Sequence, residues 1–176
     1  AQESRGLGDV YKRQVSVLRE QGWDIDDEAV ESGLYSVAWP ARFEVLHTDD
    51  PWFVLDGGHN PQCAAALREC LEHYFPDSKR VALVGVLKDK DYKSIAATLA
   101  PLFDACVCVT PPSERALPAE ELAELFKDSC REVCVADTVE DGVDLARDIA
   151  QEQDAMVCAF GSLYICGQIR SCFGLR

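Results

Sequence analysis

A chain of 176 residues, 48% of them hydrophobic, is long enough to bury one core and too short for several. Its 31 acidic residues outnumber 17 basic ones, and the resulting charge of −14 argues against nucleic acid as a partner, which needs clustered Lys and Arg. No apolar run approaches the roughly 20 residues of a membrane span, and the start lacks the basic, apolar and small-residue order of a signal peptide, so a soluble, cytoplasmic protein is expected.

Residues 1–14 carry no sustained apolar period and read as a non-native leader, translated adaptor or cloning sequence. Residues 15–38 offer a short helix closed by Gly22 and an acidic stretch expected as a second helix closed by Gly33. They are too few to bury a core and read as the tail of a preceding domain or a linker. From Trp39-Pro40 to residue 176 the pattern becomes regular. Phe43 to His47 and Trp52 to Leu55 are two β runs separated by Thr48-Asp49-Asp50-Pro51, a hairpin turn. A helix over 61–75 presents Cys63, Leu67, Cys70, Leu71 and Tyr74 on one face.

The run Arg80 to Val86 predicts a strand buried on both faces. The alternation then repeats three times. A helix near 91–100 leads to a strand at 104–109, a helix opened by Pro118 leads to Glu132 to Val135, and a helix capped by Thr138 leads to Ala155 to Phe160. A last helix runs from Gly161-Ser162 to about Phe173. Strands alternating with helices predict a Rossmann-like α/β fold: a mostly parallel sheet of about six strands with helices on both faces and an N-terminal β-hairpin. The nine cysteines include no Cys-x-x-Cys pair and fit neither a zinc site nor a disulfide framework. Most fall at apolar positions and read as buried reduced thiols.

In such a sheet the carboxyl ends of the strands form one rim, where open α/β folds bind ligands. The polar chemistry collects there. Asp56-Gly57-Gly58-His59-Asn60-Pro61 follows the second strand and Lys88-Asp89-Lys90-Asp91 the third. Ser113-Glu114-Arg115 follows the fourth, and Gly161-Ser162-Leu163-Tyr164 the last. Asn60 and Pro61 are suited to cap and open a helix whose free N–H groups favour an anion. No Gly-x-x-x-x-Gly-Lys-Ser/Thr phosphate loop occurs anywhere in the sequence. His47, His59 and His73 lack metal-ligand spacing.

Trp39-Pro40-Ala41-Arg42-Phe43-Glu44, Leu55 to Pro61, Asp89-Lys90-Asp91, Arg115-Ala116 and Gly161-Ser162-Leu163-Tyr164 together resemble the C-terminal domain of folylpolyglutamate and dihydrofolate synthases, members of the Mur ligase family. The resemblance covers 39–173. It implies an ATP-dependent ligase that adds L-glutamate to folate or dihydropteroate through an acyl phosphate. Arg42 and Asp56 then match ATP-contacting positions, His59 matches a histidine important for activity, and Ser162 matches a serine near the amino-acid substrate. Asn60, Lys88, Asp89, Lys90, Asp91, Arg115 and Tyr164 complete the rim.

Further expectations follow from the same resemblance. ATP and Mg²⁺ are the cofactors, with the phosphate loop and metal ligands in a missing N-terminal part, no metal ligands in this chain, and no turnover by the chain alone. The protein is expected to be a monomer. Ala41 stands where glycine is common and Gly58 where alanine is commoner, each a small-for-small exchange. Two other readings stay open: a Mur-type ligase for another amino acid, and a non-catalytic nucleotide-binding module.

Overall fold

The computed structural model describes residues 13–36, 39–47 and 51–175. Of the expected leader only residues 13 and 14 lie among them, and of the expected hairpin turn only Pro51 does. The chain divides into two units, with the boundary between Trp39 and Pro40.

In the first unit the described part of α1 covers 13–20 and ends at Gly22, whose φ of +90° is left-handed. Helix α2, Asp27–Ser36, starts where the Asp26 carboxylate accepts the N–H of Ala29 at 2.6 Å. It continues past Gly33, contrary to the expected closure there: a helical glycine costs only about 1 kcal/mol and leaves the hydrogen-bond ladder intact. Helix α2 buries no residue.

The second unit is a six-stranded sheet in the order β1-β2-β6-β3-β4-β5. Its strands are β1 (Glu44–His47), β2 (Phe53–Asp56), β3 (Lys79–Val84), β4 (Ala105–Val109), β5 (Glu132–Ala136) and β6 (Ala155–Phe160). Only β1 runs antiparallel, pairing with β2 in a register that places Val45 opposite Val54. The central parallel strands β6, β4 and the body of β3 are apolar because both faces are covered. Val54, Ala82, Val84, Cys106, Cys108 and Cys158 point to one face, and Phe53, Leu55, Val81, Leu83, Val107 and Val157 to the other. Successive residues alternate between the two cores, as a side-chain period of two requires.

Helices α3 (Pro61–Tyr74), α4 (Tyr92–Leu99) and α5 (Ala119–Glu124) pack on the first face through Leu67, Leu71, Ile95, Leu99 and Leu122. Helices α6 (Val139–Gln153) and α7 (Leu163–Cys172) cover the second through Val143, Ile149, Ile165 and Ile169. Full burial of a side chain such as Leu71 contributes about 1.5 to 3 kcal/mol. The expected caps form: Asn60 accepts the N–H of Cys63 at 2.9 Å, and Thr138 that of Asp141 at 3.0 Å. Strand β3 ends two residues before its expected limit. There Gly85 donates to the Phe160 carbonyl at 3.3 Å and the Val86 carbonyl turns to the N–H of Leu117 at 3.0 Å.

The cysteines are free thiols, five of them buried. Cys106 and Cys108 sit side by side in β4 with sulfurs 3.6 Å apart.

Candidate active site

Strand β6 lies between β2 and β3, so the loops after β2, β6, β3 and β4 are consecutive along one rim. The helix after β2 covers one face and the helix after β6 the other. The neighbouring connections therefore diverge beyond Asp56 and Phe160, which are register partners. This is the topological switch point of an open α/β sheet. The two loops touch through the Gly161 N–H, which donates to the Gly58 carbonyl at 3.2 Å.

Asp56 closes β2 and organises the site. One carboxylate oxygen accepts the N–H of Gly58 at 2.7 Å, and the other accepts the N–H of Phe43 at 2.9 Å. A carboxylate has about four lone-pair directions, so two remain for a ligand. The next residues run close to their surroundings, Gly57 against the movable end of Leu163 and Gly58 against Asp56 and the Cys63 Cβ. A Cβ at Gly57 would stand 2.3 Å from the Leu163 side chain, and one at Gly58 only 2.7 Å from Asp56 Oδ1. Gly58 is thus fitted to the Asp56 carboxylate, and exchange with alanine is not neutral in this loop.

His59 places Nδ1 3.0 Å from the Gly57 carbonyl oxygen. A carbonyl only accepts, so this contact puts a proton on Nδ1 and leaves the Nε2 lone pair of the neutral ring available. Asn60, half-buried, spends its side-chain oxygen on the cap of α3.

Arg42 is exposed and stands between Ala41 at φ +55° and Phe43 at φ +46°. Two consecutive anchors reach this loop from β2: Gly57 donates to the Ala41 carbonyl at 2.8 Å, and Phe43 donates to Asp56. Glu44 accepts the N–H of Ala41 at 2.8 Å and also a hydrogen bond from the Arg170 guanidinium on α7. The left-handed backbone at Ala41 shows why glycine is at ease there: the difference is conformational, not only one of size.

After β6, Ser162 is 2% exposed and caps α7 by accepting the N–H of Tyr164 at 3.2 Å. Arg115 joins three loops, donating to Asp89 at 3.0 Å and to the Tyr164 hydroxyl at 3.3 Å. The Tyr164 hydrogen bond and the Asp89 carboxylate push its pKa above the usual arginine range, so its charge is constant. Lys88 is exposed, and its backbone N–H donates to the Arg115 carbonyl at 2.8 Å. The N–H of Lys90 donates to the Leu87 carbonyl at 3.1 Å. Asp91 caps α4 through the N–H of Ser94 at 3.2 Å.

The expected residues thus fall into two groups: Arg42, Asp56, His59 and Asn60 around the β1–β2 end, and Asp89, Arg115 and Tyr164 across the loops after β3, β4 and β6. Glu44 and Arg170 were not among the expected site residues. Glu44 lies within the quoted Trp39 to Glu44 motif, whereas nothing in the sequence pairs it with Arg170, 126 residues later.

Among the described residues no cluster of three or more His, Cys, Asp and Glu side chains could hold a metal ion. A cavity of about 670 Å³ lined by Phe43, Trp52, Tyr74, Phe75 and Asp154 opens beside the starts of β2 and β6, at the opposite ends of those strands from Asp56 and Gly161. The convergent hydrogen-bonding groups described above lie instead at the rim.

A mostly parallel six-stranded sheet with helices on both faces and its polar loops gathered at the carboxyl rim defines a Rossmann-like α/β domain. The chain belongs to the family described as Mur ligase, glutamate ligase domain, which matches residues 41–163.

Relatives include a probable bifunctional folylpolyglutamate synthase/dihydropteroate synthase of Halobacterium salinarum, 36% identical over 94% of this chain and 20% of the relative. A dihydrofolate synthase/folylpolyglutamate synthase of Mycobacterium tuberculosis is 34% identical over 85% of this chain and 34% of its own length. The chain therefore spans about a fifth to a third of these relatives.

Among solved structures, the Mycobacterium tuberculosis folylpolyglutamate synthase complexed with ADP and AMPPCP superposes with a TM-score of 0.80 at 31% identity, covering 88% of this chain and 37% of the other. A bifunctional folylpolyglutamate synthase/dihydrofolate synthase of Yersinia pestis, complexed with AMPPNP and Mn ion, gives 0.78 at 28% identity, covering 92% and 38%. Among the described residues, no helix is long and apolar enough to cross a membrane.

Proposed function

We propose that this domain works in an ATP-dependent ligase that joins L-glutamate to folate, to dihydropteroate, or to both, through an acyl phosphate. The observation that carries the reading is the presentation of Arg42 on a loop tied to Asp56, beside His59, at the switch point of a glutamate ligase domain. The nucleotides in the Mycobacterium tuberculosis and Yersinia pestis structures support it.

In this reading Arg42 places a guanidinium against nucleotide phosphate, where a planar fork of donors matches the phosphate oxygens. Asp56 holds the Arg42 loop and turns its remaining lone pairs to the nucleotide. His59, with Nε2 unprotonated, accepts a proton from the glutamate ammonium or orients the amine as it attacks the acyl phosphate. Lys88, Lys90 and Arg115 add cationic charge along the rim, and Ser162 fixes the α7 terminus near the amino acid. Phosphoryl transfer uses Mg²⁺ to neutralise the phosphates, and in this reading its ligands belong to another part of the ligase.

The test is ADP release by the ligase carrying this domain, given ATP, Mg²⁺, glutamate and either folate or dihydropteroate. Release requires glutamate and at least one of the two acceptors. Arg42→Ala weakens the use of ATP by about 1.5 to 3 kcal/mol, the loss of one charged hydrogen bond. Equal release with an unrelated amino acid, or ATP kinetics unchanged in the variant, overturns the reading.

A further inference from the structure

We propose that Glu44, braced by Arg170, is a positioning residue that aims Arg42 at the ligand on the rim, an inference that rests on Arg42 contacting nucleotide as proposed above. Arg42 has an exposed side chain whose guanidinium donates to the Ala41 carbonyl at 3.5 Å, so its direction depends on the backbone of its own turn. That backbone is unusual. Ala41 and Phe43, on either side, have φ of +55° and +46°, a region that L-residues occupy only where their surroundings over-determine it.

Three hydrogen bonds from outside the turn supply the constraint, and each engages a main-chain group of a flanking residue. Asp56 accepts the N–H of Phe43 at 2.9 Å, and Gly57 donates to the Ala41 carbonyl at 2.8 Å. Glu44 accepts the remaining N–H, that of Ala41, at 2.8 Å. The Phe43 ring adds packing, 5.7 Å from the Tyr74 ring.

Glu44 can hold this direction only if its own side chain is fixed. Its second carboxylate oxygen accepts the Arg170 guanidinium, and the two side chains are 22% and 14% exposed. Water therefore screens this pair less than a surface pair. Arg170 sits on α7, the helix that Ser162 caps at the rim, and so the Arg42 loop is referenced to the same element that begins at the candidate amino-acid site. The Glu44 carboxylate thus links the Arg42 turn to α7, with one oxygen on the Ala41 N–H and the other on Arg170.

The experiment introduces Glu44→Gln and Arg170→Lys, each read in two ways, the first on the 176-residue chain. The first readout is the amide resonances and hydrogen exchange of residues 41–43. Replacing the charged acceptor by Gln shifts the Ala41 and Phe43 amides and speeds exchange at Ala41 by about tenfold, while the amides of β3 stay unchanged and report an intact fold. Arg170→Lys keeps the positive charge and gives a smaller shift.

The second readout is titration with AMPPNP and Mg²⁺ of the ligase that carries this domain, because this chain has no phosphate loop of its own. Glu44→Gln weakens binding by about tenfold, and Glu44→Gln adds nothing once Arg42 is already alanine, because Glu44 acts through Arg42. Unmoved amides at Ala41 and Phe43, or losses that multiply in the double variant, overturn the proposal. If Arg42→Ala alone leaves AMPPNP binding unchanged, the nucleotide role of Arg42 fails instead, and the amide readout by itself decides whether Glu44 sets the loop.

Discussion

Gly161 runs so close to Gly85 that a Cβ added to it would stand 2.7 Å from the Gly85 carbonyl oxygen. Its φ of +109° lies outside what L-residues adopt with ease. Gly161→Ala combines backbone strain with a clash against main chain, which has little freedom to move. We expect a loss of about 2 to 4 kcal/mol in urea denaturation of the whole chain. A variant as stable as the parent would show that the loops after β3 and β6 are not locked together.

Ala41 tests the left-handed turn from the other side. Relieving φ > 0 with glycine returns about 1 to 2 kcal/mol. Against this stand about 0.4 to 1 kcal/mol of unfolded-chain entropy and about 0.8 kcal/mol for one buried methyl. Ala41→Gly is therefore expected to lie within about 1 kcal/mol of the parent. Ala41→Val keeps the strain and adds bulk at a position only 3% exposed, and should lose about 2 kcal/mol or more. Equal denaturation midpoints for the two variants would contradict the turn.

The buried thiols make the fold sensitive to alkali. Burial pushes Cys130 up to about 11 and Cys166 up to about 12 from an ordinary 9.0, and nearby acidic groups add to both shifts. Burial raises Cys106 and Cys158 as well. A raised folded-state pKa means that the unfolded chain loses these protons first. Stability is thus complete below 9.0 and falls as pH climbs toward 11, by about 1.4 kcal/mol per pH unit for each thiol. Under reducing conditions the urea midpoint should drop between about pH 9 and about pH 11, and Cys130→Ala should flatten the decline. A midpoint that does not move over that interval contradicts the burial of these groups.

Local chemistry made much of this fold legible. The apolar run Ala155 to Phe160 is β6 without adjustment, and Asn60-Pro61 caps and opens α3 as that pair of residues suggests. Gly33 misled because a glycine inside a helix weakens it without ending it. The insertion of β6 between β2 and β3 could not be read from either strand, since strand order depends on contacts between distant segments. The site divides in the same way. Asp56, His59 and Arg115 stand out by residue type and position after a strand. Glu44 and Arg170 act through an ion pair across 126 residues, and the left-handed backbone at Ala41 and Phe43 is imposed by those distant anchors rather than by local preference.

The 176-residue chain holds no Gly-x-x-x-x-Gly-Lys loop to cradle phosphates. Incubated with ATP, Mg²⁺, glutamate and a folate, the chain by itself should release no phosphate above background. Steady glutamate-dependent release would mean that this domain carries its own phosphate-transfer machinery.

The most direct test concerns His59 in the ligase that carries this domain. With Nδ1 held by the Gly57 carbonyl, Nε2 is the nitrogen that the proposed function assigns to the glutamate amine. His59→Ala should lower turnover at saturating ATP, glutamate and acceptor by about 10² to 10⁴, with ATP affinity nearly unchanged. His59→Gln should fall in the same range, because an amide cannot take the proton. Near-normal turnover in both variants would contradict the account of the site.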